Sequence, residues 1–397
     1  MRPAASRNRR GRAAAVRLAV ILAGLAALAW YLFPGLGDPG AHWPMWDVSV
    51  YWWAGQQAAR GAALYAPGAR YSFTYPPFAA MLFATAADTP LSVLKAAITA
   101  GSICALPALS WLSLGAAGVR RRPETVFAVS ALALLAVPVS YTLHLGEVNL
   151  ILAALTGADL LRPRDGGRWQ GIATGLAAGI KLTPLIFVAY LAITRRLRAA
   201  AVAAGTFAAT ITAGAVLLPA QSRAYWLGGV FWNENRIGDP VNPSNQSLSG
   251  AIARLAGNLD AARGWWLTAE FVTGLAGLAV AAWAHRRGHR LAGVVCCAMT
   301  GLLLSPIAWT HHWVWVIPLL VLLTVNAARR KSGWYALGTA ITVLAFSSLI
   351  PMPWPGHPLS PGRLLEGDLY VLCGLGVLAG AALALTLETH ARPRSAS

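Results

Sequence analysis

Few side chains in this sequence can do chemistry, and they fall in polar islands between long apolar runs. The first island is His42-Trp43-Pro44-Met45-Trp46-Asp47-Val48-Ser49-Val50-Tyr51-Trp52-Trp53, where one carboxylate sits among aromatic rings. Apolar surroundings raise a carboxyl pKa by desolvation, which suits a general base. The rings beside it offer apolar faces to a sugar or a lipid. Asp47 also stands where a helix N-cap would, ahead of an amphipathic run from Val48 to Arg60, and Asp is a favoured cap. The residues leave both readings open. Further on, Tyr75-Pro76-Pro77 fixes an extended approach to a short apolar helix, because each proline restricts the backbone around it.

Gly146-Glu147-Val148-Asn149 lies where one apolar segment turns into the next. It reads either as polar lining of a cavity or as a turn that starts a helix. Lys181, in Gly179-Ile180-Lys181-Leu182-Thr183-Pro184, stands inside an apolar run, which costs about 2.5–3.5 kcal/mol on insertion scales. Such a lysine is kept where it faces a cavity and pairs with an anion, a phosphate being the natural partner; snorkelling to the interface is the alternative.

The run from Asn242 to Gly250 offers Asn245 and Gln246 to sugar hydroxyls, and Arg254 after it offers a second cation to a phosphate. Asn245-Gln246-Ser247 also matches a glycosylation sequon, a frequent chance match. Ser305-Pro306-Ile307-Ala308-Trp309-Thr310-His311-His312 sets two histidines side by side. Neighbours on a helix point about 100° apart, and no carboxylate or third His stands at a ligand spacing in the sequence. One His bonding a phosphate or a carboxylate is therefore preferred to a metal site, and neither a metal nor a cofactor is expected.

The elements that must position these residues are membrane helices. The chain has 397 residues, 57% apolar and 12% charged, with a mean hydropathy of +0.55. Disorder is excluded by the apolar content, and a soluble enzyme by the shortage of polar surface. The apolar residues come in unbroken runs and lack the alternation of a transmembrane β-barrel. The net charge of +18 is no nucleic-acid signature, because the bases cluster in short loops between apolar runs. Four cysteines, Cys104, Cys296, Cys297 and Cys373, all lie in apolar runs and read as small core residues.

Twelve embedded segments are expected, at about 16–34, 90–115, 124–142, 147–161, 169–181, 182–194, 199–219, 264–284, 291–309, 313–328, 334–350 and 367–388. Of the 32 bases, 23 fall on one side of this arrangement and seven on the other, which puts both termini in the cytoplasm. Residues 169–194 are too few for two spans, so a pair of short helices broken at Thr183-Pro184 is expected there. Residues 77–87 are apolar but short, and read as re-entrant or interfacial. Two long outer loops, 35–76 and 220–263, are rich in Trp, Tyr, Asn and Pro; loops of that length are usually functional. No transporter-type repeat is visible, and the chain reads as one domain over 1–397.

Taken in order along the chain, these islands resemble glycosyltransferase family 87. The motifs are Asp47, Tyr51, Gly61-Ala62-Ala63-Leu64-Tyr65, Tyr75-Pro76-Pro77, Gly146-Glu147-Val148-Asn149, Lys181-Leu182-Thr183-Pro184, Asn245-Gln246-Ser247-Leu248 with Arg254, and the segment ending in His311-His312. The resemblance covers about residues 45–320, and the family more often has Gln where Glu147 stands. It implies a GT-C fold and an inverting transfer of mannose, at the outer face, from a polyprenyl monophosphate to a glycolipid or glycan acceptor. Asp47 matches the family's base, with His311 and His312 beside the donor phosphate or the base. Lys181, Arg254, Tyr51, Tyr75, Glu147, Asn149, Asn245 and Gln246 are the expected donor-binding set. An arabinofuranosyltransferase of the same fold and a lipid-linked sugar transporter are the competing readings.

Overall fold

The computed structural model describes residues 18–19, 21–26, 45–66, 72–162, 167–233, 236–257, 263–350 and 365–390. Most of the expected first segment (16–34) and parts of the first outer loop (35–44 and 67–71) lie outside these. Among the described residues there is no strand, only two isolated bridge pairs, Ala136 with Ser347 and Asn245 with Trp309.

The helices are α1 (Trp46–Ala59), α2 (Pro77–Ala84), α3 (Leu91–Ala116), α4 (Pro123–Ala133), α5 (Val137–Leu145), α6 (Asn149–Leu160), α7 (Ile172–Ile180) and α8 (Ile186–Ile193). They continue as α9 (Leu197–Leu217), α10 (Pro219–Trp226), α11 (Leu248–Ala256), α12 (Arg263–Arg286), α13 (Arg290–Leu304), α14 (Val316–Arg330), α15 (Gly333–Phe346) and α16 (Leu369–His390). Short 3₁₀ turns occupy Thr183–Leu185, Val230–Trp232 and Thr310–His312.

Four of these helices, α3, α9, α12 and α16, are long and apolar enough to cross a membrane. A fifth span arises if α5 and α6, bent by 119° at their junction, count as one. The segment expected at 124–142 is two helices: α4 ends at Ala133, and Pro138 sits in the first turn of α5, where its missing N–H does no harm. The bend between α5 and α6 turns on Gly146, whose φ of 71° suits glycine and few other residues. The stretch expected to break within 169–194 does so, with the interruption beginning at Lys181, in extended backbone (φ −144°, ψ 131°) directly after α7.

The main core gathers buried side chains of α3, α5, α6, α8, α9, α13, α14 and α16. A second core is aromatic and draws on the stretches 45–76 and 220–233: Tyr51, Leu64, Tyr65, Phe73 and Tyr225 pack with Val148 and Ala177. Helix α7 approaches α9 at backbone distance. A Cβ on Gly175 would lie 2.4 Å from the Ala203 carbonyl oxygen, and one on Gly179 2.4 Å from Thr210 Oγ1. Small residues along one face of α7 thus fix the height of its C-terminal end, which carries Lys181.

Candidate active site

Asp47 lies in the first turn of α1 and does not cap it. The cap position is Met45, in left-handed backbone (φ 46°, ψ 49°) and with no side-chain cap bond. The Met45 N–H donates to the His144 carbonyl at 3.1 Å, which ties the start of α1 to the end of α5. The half-buried Asp47 carboxyl is pushed up to about 7. Burial is the main cause and the Glu147 charge the next, while Lys181 opposes them. Near neutrality such a group exchanges protons in both directions, as a general base must.

Glu147 sits at the bend between α5 and α6, and its side chain is 4% exposed. Lys181, 13% exposed, donates to Glu147 Oε1 at 3.1 Å, to Asn149 Oδ1 at 2.9 Å and to His312 Nε2 at 3.1 Å. The Tyr75 hydroxyl donates to the same Glu147 oxygen, and Tyr51 and Tyr75 share a hydroxyl contact of 3.1 Å. The Tyr75 ring centroid lies 5.4 Å from the Lys181 ammonium. Six elements therefore send side chains to one place: α1, the approach to α2, the α5–α6 bend, the start of α6, the end of α7 and the 3₁₀ turn at Thr310–His312.

An ammonium has three protons, and each of Lys181's has an acceptor. The anion expected for Lys181 from the sequence is supplied within the chain by Glu147. His312 accepts through Nε2, so the neutral ring carries its proton on Nδ1, a buried atom with no partner among the described residues. Burial holds His312 well below the ordinary imidazole range, and the Lys181 and His311 charges push the same way. Burial lowers His311 to about 4 against the Glu147 charge, with Lys181 adding to the lowering. Both rings are neutral at pH 7. His312 also lines a small cavity of about 50 Å³, along with Asn149, Thr156, Phe187 and Trp315.

Asn245 and Gln246, expected as donor contacts, are both fully buried and brace the histidine segment. Asn245 Oδ1 accepts from the Ala308 N–H at 3.0 Å, and the Gln246 N–H donates to the Ala308 carbonyl at 2.7 Å. Gln246 also receives the Tyr370 N–H at 3.0 Å and donates to the Gly367 carbonyl, joining the loop to α16. Arg254 is not a free cation either. Its guanidinium is ion-paired with Asp368 (Nε to Oδ1, 3.0 Å) and donates to the Asn242 carbonyl at 2.9 Å. Asn149 is doubly used, with Oδ1 on Lys181 and Nδ2 on the His311 carbonyl at 2.9 Å.

Three contributors escaped the sequence reading. Thr142 donates to the His311 carbonyl at 2.8 Å, and Asp368 is Arg254's counter-ion. Half-buried Arg236 donates to the Tyr65 carbonyl at 3.0 Å beside the aromatic core, its Nε without a partner among the described residues. Asp368 had a signal, as one of two acids, with Glu366, at the start of the last apolar run. Thr142 had none.

Membrane-length helices around a polar cluster with a carboxyl titrating near neutrality are the parts of a membrane-bound enzyme. Residues 73–306 match glycosyltransferase family 87. A polyprenol-phosphate-mannose-dependent alpha-(1-2)-phosphatidylinositol mannoside mannosyltransferase of Mycolicibacterium smegmatis is 32% identical, over 93% of this chain and 93% of its own length. The protein of the same description from Mycobacterium tuberculosis is 29% identical, over 96% and 93%. A phosphatidylinositol pentamannoside mannosyltransferase of Mycobacterium tuberculosis, likewise polyprenol-phosphate-mannose-dependent and alpha-(1-2), is 33% identical over 86% and 78%. No solved structure matches the chain. The chain belongs to glycosyltransferase family 87 and is a glycosyltransferase.

Proposed function

We propose that this chain transfers mannose from a polyprenyl monophosphate to a phosphatidylinositol mannoside or a related glycolipid, with inversion, giving an α-(1-2)-linked mannoside. The observation that carries the reading is the meeting of Glu147, Lys181 and the His pair in one cluster, with the Asp47 carboxyl near enough to feel the charges of Glu147 and Lys181. The nearly full-length similarity to polyprenol-phosphate-mannose-dependent mannosyltransferases supports the donor and the acceptor class. An inverting transfer needs one base for the acceptor hydroxyl and a positive charge near the leaving phosphate. Asp47 is the base. Lys181 supplies the charge, the phosphate competing with Glu147 and Asn149 for its protons as negative charge grows on the leaving oxygen. Tyr75 presents its ring to the sugar, the fully buried Tyr51 steadies the Tyr75 hydroxyl, and His311 and His312 contact donor or base in the neutral form.

In this reading the chain is a single GT-C domain of about twelve embedded segments in a lipid bilayer. Both termini are cytoplasmic, the base-rich loops face inward and the site faces outward. The test is purified protein in lipid nanodiscs, given radiolabelled mannose on polyprenyl phosphate and a phosphatidylinositol mannoside acceptor. Transfer from the lipid donor is expected, with none from GDP-mannose. Turnover with GDP-mannose in a carrier-free system, or transfer of arabinofuranose in place of mannose, would overturn the donor assignment. Reporter fusions at 230 and 121 check the orientation, and an internal reading at 230 would reverse it.

A further inference from the structure

The Glu147 carboxylate and the ring nitrogens of His311 and His312 lie within 4.8 Å of one another. Two imidazoles, a carboxylate and an amide oxygen are a donor set that divalent transition ions take readily. The sequence hides this set, because Glu147 reaches the histidines from another segment. In this protein a different cation stands among them. The Lys181 ammonium is held by Glu147 Oε1, Asn149 Oδ1 and His312 Nε2 at 3.1, 2.9 and 3.1 Å. The second carboxylate oxygen, Glu147 Oε2, is buried and has no partner among the described residues.

We infer that Lys181 is a resident cation seated in a pocket of metal-site composition, and that deleting its side chain turns the pocket into a divalent-cation site. Lys181 enters from the end of α7, so its stem passes through the space an ion and its entering water would need. With the stem present, a second cation would face both its bulk and its charge. With the stem gone, the acceptors remain on three separate braces: Glu147 on the α5–α6 bend, Asn149 on α6, and the His pair on a loop pinned by Asn245, Gln246 and Thr142. They need to close by about 1 Å to pass from hydrogen-bond to coordination distance. Glu147 Oε2 then gains the partner it lacks. The inference concerns only which cation the pocket holds and stands whatever sugar or acceptor the protein uses.

The test is a cobalt(II) titration of purified wild-type protein, Lys181→Ala and Lys181→Met, followed by visible absorption and by bound metal after desalting. Lys181→Ala is expected to take up one equivalent with a spectrum of nitrogen and oxygen ligation, and to lose it when His312→Ala is added. Wild type and Lys181→Met, whose stem still fills the channel, are expected to take up none at this place. Folding is followed by helical circular dichroism and elution as a single species. Folded Lys181→Ala that binds no cobalt overturns the inference. So does wild-type uptake that His312→Ala abolishes, an arm that decides even where the Lys181 variants do not fold. No arm depends on sugar transfer, so failure of the mannosyltransferase reading would be recognised separately.

Discussion

Asp47→Asn separates stability from catalysis in a way that can be worked out beforehand. The carboxyl's ordinary pKa of 3.8 rises to about 7 in the folded chain. Between those values the folded protein holds a proton that the unfolded chain has released. A folded state that binds more protons loses stability as pH rises through that window, and above pH 7 the whole cost is present. At 1.36 kcal/mol per unit the cost is on the order of 4 kcal/mol, an upper bound for the gain on substitution because an amide still needs partners there. The variant should melt at a higher temperature than wild type at pH 8 and at nearly the same temperature at pH 3, below the ordinary carboxyl value, where Asp47 is mostly neutral in both states. Transfer should fall by at least about 10²-fold at pH 8. In wild type, kcat/KM should rise about tenfold from pH 6 to pH 8, since the ionised fraction of a group at about 7 does so. Melting by intrinsic fluorescence and initial rates with a lipid-linked donor measure the two sides. A rate profile flat down to pH 5, or a variant with near-normal turnover and unchanged melting, would refute the assignment.

Arg254→Ala leaves Asp368 buried and unpaired, which should cost about 3–5 kcal/mol and lower the melting temperature; the double change Arg254→Met with Asp368→Leu should recover most of it. Loss of transfer with unchanged melting would instead make Arg254 a donor contact. Asn245→Ala strips the Ala308 and Ser247 amides of their acceptor, at about 1–3 kcal/mol. It should lower kcat more than it raises KM for the donor, because it loosens the histidine segment and touches no ligand.

The long elements were legible because their signal is local. Segments expected at 90–115, 199–219 and 264–284 correspond to Leu91–Ala116, Leu197–Leu217 and Arg263–Arg286, each an apolar run bounded by charge, Pro or Gly. Shorter pieces were legible where a proline forces a break, as Pro184 does, while the break between α4 and α5 was missed although Pro138 stands in the first turn after it. The expense of placing Lys181 in an apolar run was readable from its neighbours, and so was its need for an anion. That the anion is Glu147 was not, since the two are 34 residues apart in separate breaks between helices. For the same reason Arg254 looked free. Its partner lies 114 residues away, and no periodicity links them.

The 34-residue spacing between Glu147 and Lys181 also bears on how the chain is made. The ribosome delivers Glu147 and Asn149 before Lys181, so two of the lysine's three acceptors are made before the lysine itself. The third acceptor, His312, follows 131 residues later. A nascent chain halted before it therefore already contains both members of the ion pair, and the cluster is complete only when the histidine segment has been made.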